Sequence, residues 1–547
     1  MTTIVRPEHA APPAAAAGFW RALAAEWTKF RSVRGWSIGL IIGALLTVFL
    51  GVFAAGNASI GCGSVINGVQ EQQTGKACLP SVPLGPGGEA VTDTFYFVHQ
   101  PLASNGAITV ALTSLTGRYS NGNGPAPGGP GKGGQPNLGA GMTPGLVGWA
   151  KAGIIIKAST KQGSAYAAMM VTGSHGARMQ YDFTGDIAGL AGSASAAAPR
   201  WLRLTRSGDT ISGYDSADGR HWDLVGTVTL AGLPSTVQAG LFATSPTYLK
   251  ISQFVGGASI QSGPSIATGV FKDIRLDGSW PAARWTGTAI GGGRRGDYPD
   301  AGGDFHQAAS QVTVTGAGDI APVVPGPGSG FPTATVDQTL VGMFIALIAV
   351  VTVAALFVTS EYRRGLIRIT LAATPRRGQV LAAKAVVAGL VAFVVGLLTA
   401  IVCLTVGLPK LGRNGLYVLP VSALTDARVL VGTAAAVAVT AVFALAIGVM
   451  FRRSAAAVTV AIVTVVLPFL LAVTVLPNSA ASWVLRLTPA AGLAVEQSVP
   501  HYAQVAYISS PAGGQYPLTP LAGFGVLCAW TVAALALATF LIRRRDA

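Results

Sequence analysis

The sequence predicts a polytopic α-helical membrane protein with six transmembrane helices and an all-β sandwich domain inserted between the first and second. Three observations point there. Half of the 547 residues are hydrophobic and 11% are charged, against roughly 25% charged in an ordinary soluble domain; mean hydropathy is +0.52. Six apolar runs reach the ~20 residues that a helix needs to cross a hydrocarbon core of ~30 Å. Residues 57–337, between the first two runs, are rich in Gly, Ser and Thr and broken into short β-rich pieces.

Residues 1–35 form a tail and an amphipathic interface helix. Phe19, Leu23, Trp27 and Phe30 share one face with Trp20 at its edge, while Arg21, Lys29 and Ser32 lie opposite. Glu26 falls on the margin of the apolar face, an expensive place for a carboxylate without a partner. The first span is 36–56. Its length exceeds the ~7–15 apolar residues of a cleaved signal, so it reads as an anchor. Beyond the inserted domain come span two (338–359), a cytoplasmic loop (360–379), span three (380–406), span four (429–451) and span five (455–477). An external loop (478–520), span six (521–542) and a short tail (543–547) complete the chain. In the external loop, Trp483, Leu485, Leu487 and Leu493 fit either short helices at an outer mouth or an interfacial loop. No span has an acid or base at its centre; Lys384, near one end, is expected to snorkel.

The formal charge of +15 and pI near 9.9 admit nucleic acid, an anionic surface or a topology signal as explanations. Position decides among them. With the N-terminus inside, the cytoplasmic segments hold sixteen bases against four acids, whereas residues 57–337 hold seventeen against sixteen. Both termini are therefore expected in the cytoplasm of a multi-pass plasma-membrane protein, with residues 57–337 extracellular. A nucleic-acid partner loses its support, and membrane lipid replaces it.

Within 57–337 the clearest strand runs are 94–98, 107–112, 152–158, 165–172, 200–206, 210–214, 224–230 and 238–243. Short strands without helical periodicity argue for an antiparallel sandwich. The Gly/Pro-rich loop 121–136 contains Gly131-Lys132, but Ala126 and Gly133 stand where a phosphate loop needs Gly and Ser/Thr. Asp218-Gly219 suits a tight hairpin, after which Trp222 is expected to re-enter the sandwich. Cys62 and Cys78, on the oxidising side, are predicted to pair and close a loop worth about 3 kcal/mol. No His/Cys grouping has metal spacing, so no metal is expected.

The order W-x-K-A-G-I-I-I-K from Trp149, W-L-R-L-x-R from Trp201, S-x-D-G-x-x-W through Asp218, Gly219 and Trp222, then V-Q-A-G-L-F, resembles the laminin-G or concanavalin A-like jelly-roll group over residues 90–277. That resemblance implies a fold, and for some relatives a bound glycan. Glycoside hydrolysis needs two carboxylates about 5–9.5 Å apart. The only glutamates here, Glu71 and Glu89, precede the strands, so a binding module or structural cap is expected instead.

A-E-W-T-K-F-R-S-V-R before the first span and S-E-Y-R-R-G-L-I-R-I-T-L-A-A-T-P-R-R after the second resemble type-2 ABC exporter permeases, over residues 18–56 and 337–547. The resemblance implies a transport subunit, not an enzyme, with ATP and magnesium held by a separate ABC ATPase. It also implies a homodimer or heterodimer of permeases. Residues 19–34 would be the interface helix and 360–377 the coupling helix, with Glu26, Glu361, Arg363 and Arg364 as the ATPase contacts. The alternative is a polytopic anchor that displays a carbohydrate-binding module without transport.

Overall fold

The computed structural model describes residues 14–58, 61–66, 69–74, 82–121, 142–254, 257–281, 284–291, 302–308, 310–325, 333–363, 377–505 and 514–545. Helix α1 (Ala14–Ser32) leads into α2 (Arg34–Asn57). After the strand region follow α3 (Met343–Arg363), α4 (Arg377–Arg413), α5 (Ala423–Phe451), α6 (Ser454–Thr474), the short α7 (Asn478–Leu487) and α8 (Pro520–Arg545). Six of them, α2 to α6 and α8, are long and apolar enough to cross a membrane.

Each apolar run seeds a helix, and local chemistry sets its ends. The second begins later than hydropathy alone indicates, because Val336–Leu340 forms a 3-10 turn in which the Thr339 hydroxyl bonds the Val336 carbonyl. Ser422 caps α5 by accepting from the Thr425 N–H, extending that helix beyond its apolar run. Arg452 closes α5 in the left-handed region at φ 58°, its N–H on the Gly448 carbonyl. Helices α3 and α5 form the enclosed centre. Small residues permit their close approach: a Cβ on Gly448 would meet Val358 at 2.5 Å, and one on Gly43 of α2 would meet Ala349 at 2.4 Å. Ile41, Leu45 and Phe49 of α2 and Leu390 and Leu398 of α4 face outward, as lipid-facing positions do.

Between α2 and α3 in the chain lie two antiparallel sheets packed face to face. The first runs, edge to edge, Gly185–Ala188, Ala177–Tyr181, Tyr166–Thr172, Lys151–Lys157, Val237–Thr244, Phe95–Leu102 and Thr286–Ile290. The second runs Asp223–Thr229, Thr210–Ser216, Arg200–Ser207, Asn105–Tyr119, Ser265–Gly278, Gln311–Gly316 and Gly303–Ala308, with Thr143–Pro144 paired to the long Asn105–Tyr119 strand. Alternate residues such as Val98, Ile108, Ile154, Met169, Leu202, Leu204 and Leu241 meet between the sheets. Lys151–Lys157 and Tyr166–Thr172 are buried on both faces. Their outer side forms a second apolar layer with Phe95, Phe97, Phe183 and Phe242. Every strand run expected from the sequence has a counterpart; those at 177–181, 286–290 and 311–316 carried no comparable signal.

The sandwich rests on the helical bundle. Val82, Ala90 and Val323 pack with Leu419 and Val499. Gln504 Nε2 donates to the Phe183 and Thr184 carbonyls at 3.0 and 3.1 Å. Thr333–Ala334 pairs in parallel with Tyr417–Val418, between α4 and α5.

Gly51 of α2 offers a test of the bundle's packing. A Cβ there would lie 2.5 Å from the Thr339 carbonyl oxygen, whereas one at Gly35 would meet nothing within 4 Å. Gly51→Ala is expected to destabilise the purified protein by about 1–3 kcal/mol, read as a lowered melting temperature, with Gly35→Ala unchanged or slightly raised.

Candidate coupling site

Four charged side chains from three helices meet at one end of the bundle. Glu26 and Lys29 lie one turn apart on α1, Glu361 is near the end of α3, and Lys384 is in the second turn of α4. Lys384 Nζ donates to Glu26 Oε2 and to Glu361 Oε1, both at 2.6 Å. Lys29 Nζ donates to Glu26 Oε1 at 2.8 Å and to Glu361 Oε1 at 3.1 Å. The Lys384, Glu26 and Glu361 side chains are buried, while Lys29 is 38% exposed. Burial pushes the Lys29 ammonium down, but its hydrogen bond to Glu26 and the Glu26 and Glu361 charges outweigh this and raise it overall.

An aromatic wall surrounds the cluster. Phe30, Trp36 and Phe357 touch one another with ring centroids 5.2–5.8 Å apart, and Lys384 Nζ sits 4.7 Å from the Phe357 centroid. Two acids and two bases sum to zero, so the desolvation of each ion is offset by an opposite charge in hydrogen-bond contact. Nearby, the Thr359 and Ser454 hydroxyls join α3 to α6 at 3.0 Å, and Arg377 bonds the Ile542 carbonyl of α8. The ends of α3, α4, α6 and α8 are thus tied together where the chain leaves α3.

Lys384 therefore does not snorkel. It is 2% exposed, because the two carboxylates reach it where water would otherwise be needed. Glu26 and Glu361 turn inward onto lysines rather than outward. The Arg363 side chain, and Arg364 with the rest of 364–376, lie outside the described residues. So do the Cys62 side chain and the whole of Cys78. The marginal position of Glu26 was a sequence signal for a missing partner. Nothing in the sequence identified that partner, 358 residues away.

The sandwich markers occupy distinct environments. Trp149 is buried and stacks on His175 at 3.8 Å. Asp218 Oδ1 accepts from the backbone N–H groups of Arg220 and His221, and Gly219 turns the loop at φ 72° with Trp201 directly beneath. Trp222 does not re-enter the core. The loop 217–222 is longer than a two-residue turn and leaves Trp222 on the outer face, 4.0 Å from the Arg203 guanidinium. Register places Arg275, Thr109, Arg203, Tyr214 and Leu224 side by side across that sheet. Arg203 Nε donates to Thr109 Oγ1.

Residues 208–547 match the family model described as ABC-2 family transporter protein. The chain belongs to the ABC-2 transporter family. The matched part of this ABC-2 family chain begins within the strand region and continues to the last residue. Its family and its apolar helices make it a multi-pass membrane protein and a transport subunit. No curated protein matches it. Among solved structures, it is similar to SCP-B, a member of the Eqolisin family of peptidases, at 9% identity over 41% of this chain and 98% of that one, TM-score 0.23. It is also similar to scytalido-glutamic peptidase, at 10% identity over 41% and 98%, TM-score 0.24. A functionally unknown protein from Saccharomyces cerevisiae shares 13% identity over 41% and 97%, TM-score 0.20. Scores this low carry no argument about activity.

Removing one member of the cluster strands the others. Lys384→Met is expected to destabilise the folded protein by about 3–5 kcal/mol, because two buried carboxylates lose a shared cation. Adding Glu26→Gln and Glu361→Gln to that variant is expected to recover most of the loss. Melting curves of the single and triple variants check this.

Proposed function

We propose that this chain is the permease subunit of an ATP-binding-cassette exporter, with six spans, both termini in the cytoplasm and residues 57–337 outside. A separate ATPase binds and hydrolyses ATP with magnesium, and two permeases, identical or not, form the pathway. The observation that carries this reading is the four-charge cluster joining α1, α3 and α4, in a chain of the ABC-2 family. It lies where α3 ends and the basic 364–376 segment begins. A push on that segment meets a joint whose separation would leave ions unpaired in a dry site. The interface helix and the two spans then move as one body, and substrate access alternates.

In this reading Arg363 and Arg364 touch the ATPase directly. Glu26 and Glu361 act through the joint, since their carboxylates are engaged by Lys29 and Lys384. The external sandwich is read as a jelly roll that binds a glycan or a protein. Its support is the outer row through Arg203 and Tyr214, with Trp222 stacked on Arg203 and guanidinium and hydroxyl groups placed for sugar hydroxyls. That row also favours a second reading, a membrane anchor that displays the module without transport.

Reconstitution separates the two. Arg363→Glu with Arg364→Glu is expected to abolish stimulation of the copurified ATPase while leaving the melting temperature unchanged. Undiminished stimulation would count against the coupling role. A chain that purifies without any ATPase, yet binds a glycan array in nanodiscs, would support the anchor.

A further inference from the structure

The segment between α6 and α8 folds back into the bundle. After α7, the 3-10 run Pro489–Glu496 is buried at all of its residues and packs against α5, α6 and α8. It ends on Glu496, 7% exposed, which lines a small cavity with Thr433, Thr440, Met343 and Leu347. The cavity has room for about one water molecule. No hydrogen bond or ion pair engages the Glu496 carboxylate among the described residues. Thr433, 1% exposed on the same cavity wall, has a buried Oγ1 that is likewise unpartnered.

The charged and titratable neighbours come from several elements. Asp337, on Val336–Leu340, accepts from Ser498 Oγ at 3.0 Å and lies beneath Gly514. Tyr516, just before α8, and Cys403 of α4 are the other titratable neighbours. Arg428 of α5 reaches the flanking backbone, its guanidinium bound to the Gln497 and Val495 carbonyls at 2.6 and 3.3 Å. Glu496, buried, and Asp337, partly exposed, therefore have no cation paired to either among the described residues. Burial first, and the Asp337 charge second, push the Glu496 carboxyl up to about 8.

We propose that Glu496 is a proton-binding site, carrying one proton in the cavity it shares with Thr433 and releasing it when the Pro489–Glu496 run is exposed to water. Release breaks the carboxyl O–H bond heterolytically, leaving the carboxylate and passing the proton to a water molecule. Exposed to water, the group returns toward the ordinary glutamate value of about 4.3. Between that value and about 8 the conformation described here binds a proton that the opened one does not. Rising pH therefore favours opening. If the chain works as the exporter proposed above, each opening is accompanied by proton release; the site itself does not depend on that reading.

The test is an infrared pH titration of the full chain in lipid nanodiscs, without ATP or a partner, so its failure is distinct from failure of the transporter reading. A protonated-carboxyl absorption is expected to persist at neutral pH, to fade with a midpoint near 8, and to be absent in Glu496→Gln. Asp337→Asn is expected to lower that midpoint by removing a like charge, and exchange of choline for sodium to leave it unchanged. The wild-type melting temperature is expected to fall as pH rises from about 4 to about 8, and that of Glu496→Gln to fall less. An absorption insensitive to Glu496→Gln, or one that titrates with ordinary carboxyls, overturns the proposal. A midpoint that drops as sodium is added overturns it too, in favour of a metal-cation site.

Discussion

Lys384 stands inside a helical bundle only because two carboxylates meet it there. Its ammonium touches Glu26 from α1 and Glu361 from α3 at the same distance, and neither contact can be given up cheaply once water is excluded. That constraint fixes the angle at which α1 lies against the bundle and sets how far the end of α3 can stray from the start of α4. The aromatic contacts of Phe30, Trp36 and Phe357 fill the space this leaves. A hydrophobic joint would slide; a joint made of four alternating charges has one register.

What the sequence made legible follows from how local each signal is. Apolar runs of spanning length need no partner to be read, so all six appear as helices, with ends displaced only where Thr339 or Ser422 adds its own hydrogen bond. Strands such as Lys151–Lys157 were legible because burial on both faces leaves a continuous apolar run. Edge strands such as Gly303–Ala308, largely exposed, carry little pattern and went unread. The candidate site was half legible. Glu26 was conspicuous on an apolar margin, but its pairing with Lys384 is a property of tertiary packing that no local window contains. Glu496 was silent for the same reason, since a glutamate in an inter-span loop looks exposed until the loop folds inward.

The sandwich and the bundle are not independent bodies joined by strings. Gln504 holds the carbonyls of Phe183 and Thr184 only a few residues beyond Glu496, and Val499 packs into the apolar contact with Val82 and Val323. The loop that carries the buried carboxyl is thus also a floor for the sandwich. Rearrangement of that loop and tilting of the sandwich share the same hydrogen bonds.

The order of synthesis gives the cluster a temporal side. Glu26 leaves the ribosome 358 residues before Lys384, an interval of roughly 20–70 s at ordinary elongation rates. For most of that time α1 and α2 exist while α3 and α4 are still unmade. Lys29, one turn along the same helix and within 2.8 Å in the finished protein, is the only base of the cluster made before Lys384. The partly exposed lysine thus gives Glu26 a countercharge within its own helix, before Lys384 is translated.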